Sequence, residues 1–279
     1  MVTDSATALT PELVAVHGLY VARMEITIDG NTMIDGTNTE LTNFYSMLES
    51  SESSPTSSAP KPAEYVDQFT KASQTAESMF CVSVAANLSA AYDAAQSGAD
   101  LFKNDHPETE IRVFDSATAA SSQALITLAA ARAAAEGCSI DEVEAVASNV
   151  ASKVRLVAML DTVRFIHRSG RVPKIAVWAS NALNIKPVME YLTGRVGSIS
   201  RPRSVIKAIE RICSEMSNDL TEKTAHINVM PAGAPERADI LREWAARNLN
   251  CAELFITQFH PFMGAHTGPG LVGTSWWAE

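Results

Sequence analysis

The sequence predicts an α/β protein in two parts: a parallel α/β layer over residues 1–150 and an α+β unit with a mixed sheet over residues 151–279. Three observations carry this expectation. Short apolar segments alternate with helix-patterned segments through the first half. The second half places a glycine-turn hairpin among helical runs. Polar turns, Thr3-Asp4-Ser5, Asn87-Leu88-Ser89 and Asp115-Ser116, follow strand-like segments of the first half. Ligands collect at the carboxyl ends of strands in an open α/β sheet, so these turns are candidates for one shared rim.

Taken in order, Met1 to Ser5 reads as the clipped end of a strand, almost absent before Thr3, running into a polar turn. Leu19 to Ile28 alternates loosely and is rich in β-branched and aromatic residues, which predicts one strand, and Asp29-Gly30-Asn31 is a turn. Thr39 to Leu48 reads as a short helix. Glu49 to Pro62 is rich in serine and proline; composition reads it as a flexible linker, and the alternative is a hydroxyl-lined ligand loop. A helix over Ala63–Glu77 precedes a buried strand, Met79–Val84, a helix, Asn87–Ala99, and a strand, Ile111–Phe114. Ala119–Glu136 is an alanine-rich helix stopped by Gly137, a residue suited to the left-handed position after a helix. Ser139 and Glu142 form a capping box that opens a helix reaching Lys153.

Val154–Leu160 reads as a strand and Asp161–Arg168 as a helix that breaks at Ser169-Gly170. Ile185–Tyr191 and Val196–Ile199 flank Thr193-Gly194-Arg195 as a hairpin. A helix, Arg203–Leu220, a strand, Ala225–Val229, a helix, Pro235–Asn248, and a strand, Ala252–Phe259, follow. The chain then reaches Gly264-Ala265-His266-Thr267-Gly268-Pro269-Gly270, read as a loop behind a buried strand at Leu254-Phe255-Ile256. Glycine permits φ > 0 and close approach of a ligand, so such a loop can aim backbone N–H groups and one imidazole at an anion. The final Trp276-Trp277-Ala278-Glu279 has no evident role.

Composition narrows the function. Hydrophobic residues make up 46% of the 279, enough for a sizeable core and too many for a disordered chain. The net charge of −10 argues against nucleic acid and leaves at most transient contact with anionic membranes. Cys81, Cys138, Cys213 and Cys251 are scattered without a C-x-x-C pair, as in a reduced cytoplasmic protein. No apolar run approaches the ~18 residues of a membrane span, and no signal-peptide pattern opens the chain. His17, His106, His167, His226 and His260 lack metal-ligand spacing, so no metal is expected. No phosphate-binding P-loop occurs, no G-x-G-x-x-G follows directly on a strand, and no G-x-S-x-G elbow presents a nucleophile.

The motifs together resemble the DegV family over almost the whole chain and in the family's order. Thr3-Asp4-Ser5 is similar to its T-D-S turn, Pro55-Thr56-Ser57-Ser58-Ala59-Pro60 to P-T-T-S-Q-P, Leu88-Ser89-Ala90-Ala91-Tyr92 to L-S-G-T-Y, and Asp115-Ser116 to its next D-S. Arg168-Ser169-Gly170-Arg171-Val172 resembles K-G-G-R-I, Asn184-Ile185-Lys186-Pro187 matches N-I-K-P, Arg203 stands at the V-R-T arginine, and Gly264–Gly270 matches G-x-H-x-G-x-G.

The resemblance implies a two-domain fold enclosing a ligand tunnel, in which one long-chain fatty acid is held and its carboxylate presented to a separate fatty-acid kinase subunit. That subunit makes the acyl phosphate that feeds phospholipid synthesis. The chain itself would be a monomeric binding component with no catalytic residue, cofactor or metal. By position, Thr56 and Ser89 would donate to the carboxylate, His266 would sit beside it, and Arg171 would hold the head region. The backbone at Ser57, Ala90, Gly264 and Thr267 would lie near the ligand, and Arg203 would meet the kinase. Each has an ordinary alternative: Ser89 as a helix cap, Thr56 as a solvated hydroxyl, Arg171 or Arg203 as a helix-end charge, His266 as a structural histidine.

This chain departs from the family pattern at Ala90 and Ala91, at Ala85-Ala86 in place of a serine pair, and at Ala59 in place of glutamine. Two other readings stay open. One is a carrier or sensor of another apolar carboxylate with no kinase partner. The other is a small hydrolase using Ser89 and His266, with Asp115 as the acid.

Overall fold

The computed structural model describes residues 1–36, 41–51, 53–170, 185–192 and 194–279. In the first half, β1 (Val2–Asp4), β2 (Tyr20–Ala22), β6 (Ser78–Ser83) and β7 (Glu110–Asp115) form a parallel sheet in the order β2-β1-β6-β7. Helices α1 (Pro11–Val16), α3 (Pro62–Ala72), α4 (Ala91–Asp105), α5 (Ala120–Ala135) and α6 (Ile140–Lys153) belong to the same half. The Ser139–Glu142 capping box opens α6 as expected.

In the second half, β8 (Arg155–Met159), β9 (Val188–Leu192), β10 (Arg195–Ser200), β11 (Thr224–Pro231), β12 (Asn250–Ile256) and β13 (Val272–Ala278) form a mixed sheet. Its order is β10-β9-β8-β13-β11-β12, and only β11 and β12 run parallel. Helices α7 (Arg164–Arg168), α8 (Val205–Leu220), α9 (Pro235–Asn248) and α10 (Pro261–Thr267) complete this half.

Four sequence expectations are corrected. The single strand over Leu19–Ile28 is two strands in two sheets. At Met24 the chain leaves the parallel sheet: its N–H donates to Ser5 Oγ at 3.2 Å and its carbonyl accepts from Asp35. The second piece, β3 (Glu25–Ile28), joins β4 (Asn31–Ile34) and β5 (Thr56–Ser58) in a small antiparallel sheet. The serine- and proline-rich stretch is therefore partly a strand, not a linker. The chain's last segment is β13, an interior strand between β8 and β11, rather than a tail. And β12, read as buried, is an edge strand with half-buried Leu254, Phe255 and Ile256.

Helix α5 stands between the two large sheets. Most of its residues are buried on all sides, from Ala120 through Ala131, and it packs on β6 on one side and on β11 and β13 on the other. Alanine and serine keep it thin enough to serve both. Its serines reach β13: Ser121 and Ser122 both hydrogen-bond Ser275 Oγ.

The expected rim exists. Asp4, at the end of β1, accepts from the Ala6 N–H (3.0 Å), the Val84 N–H (2.8 Å), Ser83 Oγ (3.2 Å) and Gln123 Nε2 of α5 (3.1 Å). The Ser116 N–H donates to the Ser83 carbonyl, and the Ala86 N–H to Asp115 Oδ1. The turns are tied to one another and to α5.

Complete burial pushes the Asp4 carboxyl up to about 6, against the hydrogen bonds that favour its ionised form. The folded value lies above the unfolded one. Asp4 therefore contributes stability that is full below pH ~4 and is lost as pH rises through ~6, worth about 3 kcal/mol. The denaturant midpoint of wild type is expected to fall relative to that of Asp4→Asn as pH rises from 4 to 7. A pH-independent gap between them contradicts this.

Candidate functional site

The segment around His266 is a helix, not the loop its glycines predict. Pro261 occupies the first turn of α10, where its missing N–H costs nothing. The next N–H, of Phe262, is capped by Asp35, which is remote in sequence and fully buried at the end of β4 (3.0 Å to Oδ1). The helix also lies against α2 (Leu41–Ser50): Tyr45 Oη donates to the Phe259 carbonyl at 2.9 Å. A Cβ at Gly264 would stand 2.7 Å from that Tyr45 oxygen, so glycine is what lets the helix approach. Gly268 ends the helix at φ 81°, and a Cβ there would overlap the buried Phe165 ring of α7. The glycines of this motif serve close packing and a left-handed turn.

These contacts fix His266, which is buried. Its Nε2 lies 2.8 Å from Ser57 Oγ on β5, and its ring meets Phe262 edge-on, centroids 5.8 Å apart. The imidazole borders a cavity of about 150 Å³ between the two large sheets. Ala119 and Leu88 line it from the parallel half, Leu156, Ala158 and Met189 from the mixed sheet, and Phe262 and Met263 from α10. The lining is apolar apart from Ser89, Tyr191, His266, Thr267 and Glu190. The Glu190 carboxylate is already committed to Arg155 Nε at 2.7 Å. A larger cleft of about 590 Å³ beside β2 mixes Leu9, Val14 and Leu19 with Arg23, Glu64 and Lys71, and is far more polar than the cavity.

An apolar cavity with a few convergent polar groups is the usual form of a small-molecule site. Here it suits an amphipathic ligand. Burying a tail gains about 0.8 kcal/mol per methylene. Burying an ionised head costs several kcal/mol unless hydrogen-bond donors meet it. Ser89 and His266 stand on the cavity wall.

The predicted residues divide. His266, Ser89 and Thr267 come together at the cavity. Ser89 Oγ also accepts the Ala91 N–H at 3.2 Å, so it caps α4 while its hydroxyl proton is available to donate. Thr267 Oγ1 donates to the Met263 carbonyl. Thr56 is exposed: side chains alternate along β5, and it is Ser57 that faces His266. Ala90 is exposed at the start of α4, and Gly264 packs on Tyr45. Arg203 is exposed just before α8. Arg171 lies outside the described residues. Asp35 and Tyr45, which hold the site helix, were not foreseen; the Asp35-Gly36 pair after a β-patterned run was the available signal.

Among the described residues no group of three or more His, Cys, Asp or Glu is arranged to hold a metal. No helix among them is long and apolar enough to cross a membrane.

The DegV family model, described as "Uncharacterised protein, DegV family", matches residues 1–279. A DegV domain-containing protein of Streptomyces coelicolor is 26% identical over 275 residues, covering 98% of this chain and 96% of that one. Solved structures share the fold. A DegV-family protein of Thermus thermophilus, described for its fatty-acid binding, aligns with TM-score 0.91 at 23% identity over 100% of this chain and 98% of that one. A DegV-family protein of Eubacterium eligens, loaded with heptadecanoic acid, gives 0.88 at 17% identity, over 100% and 99%. The chain belongs to the DegV family.

The packing makes a prediction. Gly268→Ala forces a methyl into Phe165 at a backbone angle alanine resists, and is expected to cost about 2 kcal/mol or more. Denaturant unfolding measures it; unchanged stability contradicts the close seating of α10.

Proposed function

We propose that this protein binds one long-chain fatty acid in the cavity between its two large sheets. The observation that carries the reading is the Ser57–His266 pair, 2.8 Å apart, at the edge of an otherwise apolar cavity that Ser89 also borders. The fatty-acid-binding relatives of the same fold support it. Ser89 donates its hydroxyl proton to the carboxylate, His266 stands beside it with its ring set by Ser57, and the tail lies among Leu156, Met189 and Phe262. Arg171 is proposed for the head region, by its motif alone.

The finer part of the proposal is that the chain is a binding component rather than a catalyst. It presents the carboxylate to a separate fatty-acid kinase subunit, and the acyl phosphate so formed feeds phospholipid synthesis. The DegV resemblance is what supports this. The exposed position of Arg203 is compatible with its meeting that partner. The division into residues 1–150 and 151–279 is proposed on the same footing, with the cavity at their boundary.

Calorimetric titration with oleate tests the site. Ser89→Ala is expected to weaken binding by roughly 1–3 kcal/mol, the worth of a hydrogen bond to a charged group, and Ser57→Ala by less, since it acts through His266. Unchanged affinity in folded Ser89→Ala leaves that residue a helix cap only. Arg203→Ala is expected to keep oleate affinity while slowing acyl-phosphate formation by added kinase subunit. Lost oleate binding instead would place Arg203 in the pocket.

A further inference from the structure

The walls of the cavity are not equally secured. Strand β8 is interior to its sheet, and α10 is tied down by Asp35, Tyr45 and the contact of Gly268 with Phe165. The β9–β10 hairpin differs. Its outer strand β10 is the sheet edge, with Arg195, Gly197 and Ser198 exposed, while Tyr191 and Val196 face the cavity.

Across the cavity from the hairpin lie the turns that follow β6 and β7. Among the described residues, three hydrogen bonds join the two sides. The Gly194 N–H donates to the Ala117 carbonyl at 2.9 Å. Asn87 Nδ2 donates to the Gly194 carbonyl at 2.6 Å, and Tyr191 Oη donates to Asn87 Oδ1 at 3.0 Å. Asn87 thus uses both ends of its amide, one on the hairpin tip and one on the cavity-lining tyrosine. Gly194 sits at φ 74°, a conformation glycine holds without strain, and a Cβ there would stand 3.7 Å from Asn87 Nδ2. Asn87 itself is exposed. Its side chain closes a seam with water on one side and the apolar cavity on the other.

From this geometry we infer that Asn87 is the latch of the passage by which the acyl chain enters and leaves the cavity. The inference rests on the fatty-acid reading above. Asn87 is a positioning residue: it holds Tyr191 and the hairpin tip against the parallel half and makes no contact with the ligand. When its bonds break, the hairpin edge parts from the Leu88–Ser89 turn and the cavity opens sideways. Removing the latch lowers the barrier for passage in both directions and leaves the bound state as it was.

Stopped-flow fluorescence with cis-parinaric acid, released by excess oleate, separates these effects. Asn87→Ala is expected to raise the association and dissociation rate constants together, by about five-fold or more, with the equilibrium constant changed less than about two-fold. Asn87→Asp keeps the acceptor for Tyr191 Oη and removes only the donor to the Gly194 carbonyl. It is expected to move both rates the same way, and it carries the test alone if Asn87→Ala fails to fold. Unchanged rates in the folded variants overturn the latch. So does faster dissociation matched by an equal loss of affinity, which would make Asn87 a contact of the bound ligand. Wild-type protein that binds neither cis-parinaric acid nor oleate at equilibrium overturns the fatty-acid reading, and the latch with it.

Discussion

The seating of one short helix sets the geometry of the site. Helix α10 is seven residues long, too short to hold itself, and it carries the histidine that borders the cavity. Its first turn is capped by Asp35, its flank lies on Tyr45, and its end turns at Gly268 over Phe165. Each support comes from a different part of the chain. Together they present His266 to Ser57 on one side and to the cavity on the other. A methyl group at Gly264 or Gly268 would push the helix away from those supports, so the glycines act through packing.

The cavity follows from how the two large sheets share α5. An alanine- and serine-rich helix lets β6 approach it on one face and β11 and β13 on the other. The rim turns of the parallel sheet are consumed by each other's hydrogen bonds and by Asp4. Few of their polar groups are left for a ligand, and Ser89 is the clear one. The polar end of the cavity is correspondingly sparse, which matches a ligand that is almost wholly apolar with one charged end.

Much of this was legible in the sequence, and the exceptions have physical reasons. Helix α9 runs over the expected Pro235–Asn248, and the Ser139–Glu142 capping box marks α6, because caps and prolines act locally. The break at Met24 is tertiary: the residues on either side keep a strand pattern, and only Ser5 and Asp35 divert the backbone. Strand β13 was missed because Gly273, Thr274 and Ser275 dilute its apolar pattern. Gly273 is needed there, since a Cβ would stand 2.9 Å from that of Ala158 on β8. At the site, the motif resemblance pointed to His266 and Ser89, which the structure brings to one cavity. It also pointed to Thr56, which is exposed, while its neighbour Ser57 faces His266. Two adjacent hydroxyls on a strand differ only in parity, and parity is set by pairing with β3, which the local sequence does not encode.

The central claim is that the cavity beside His266 holds a fatty acid. Native mass spectrometry of the purified protein, followed by organic extraction and lipid identification, tests it most directly. The account predicts one fatty acid per chain, or uptake of one equivalent of oleate or palmitate by protein purified empty. Protein that arrives empty and takes up neither would contradict it.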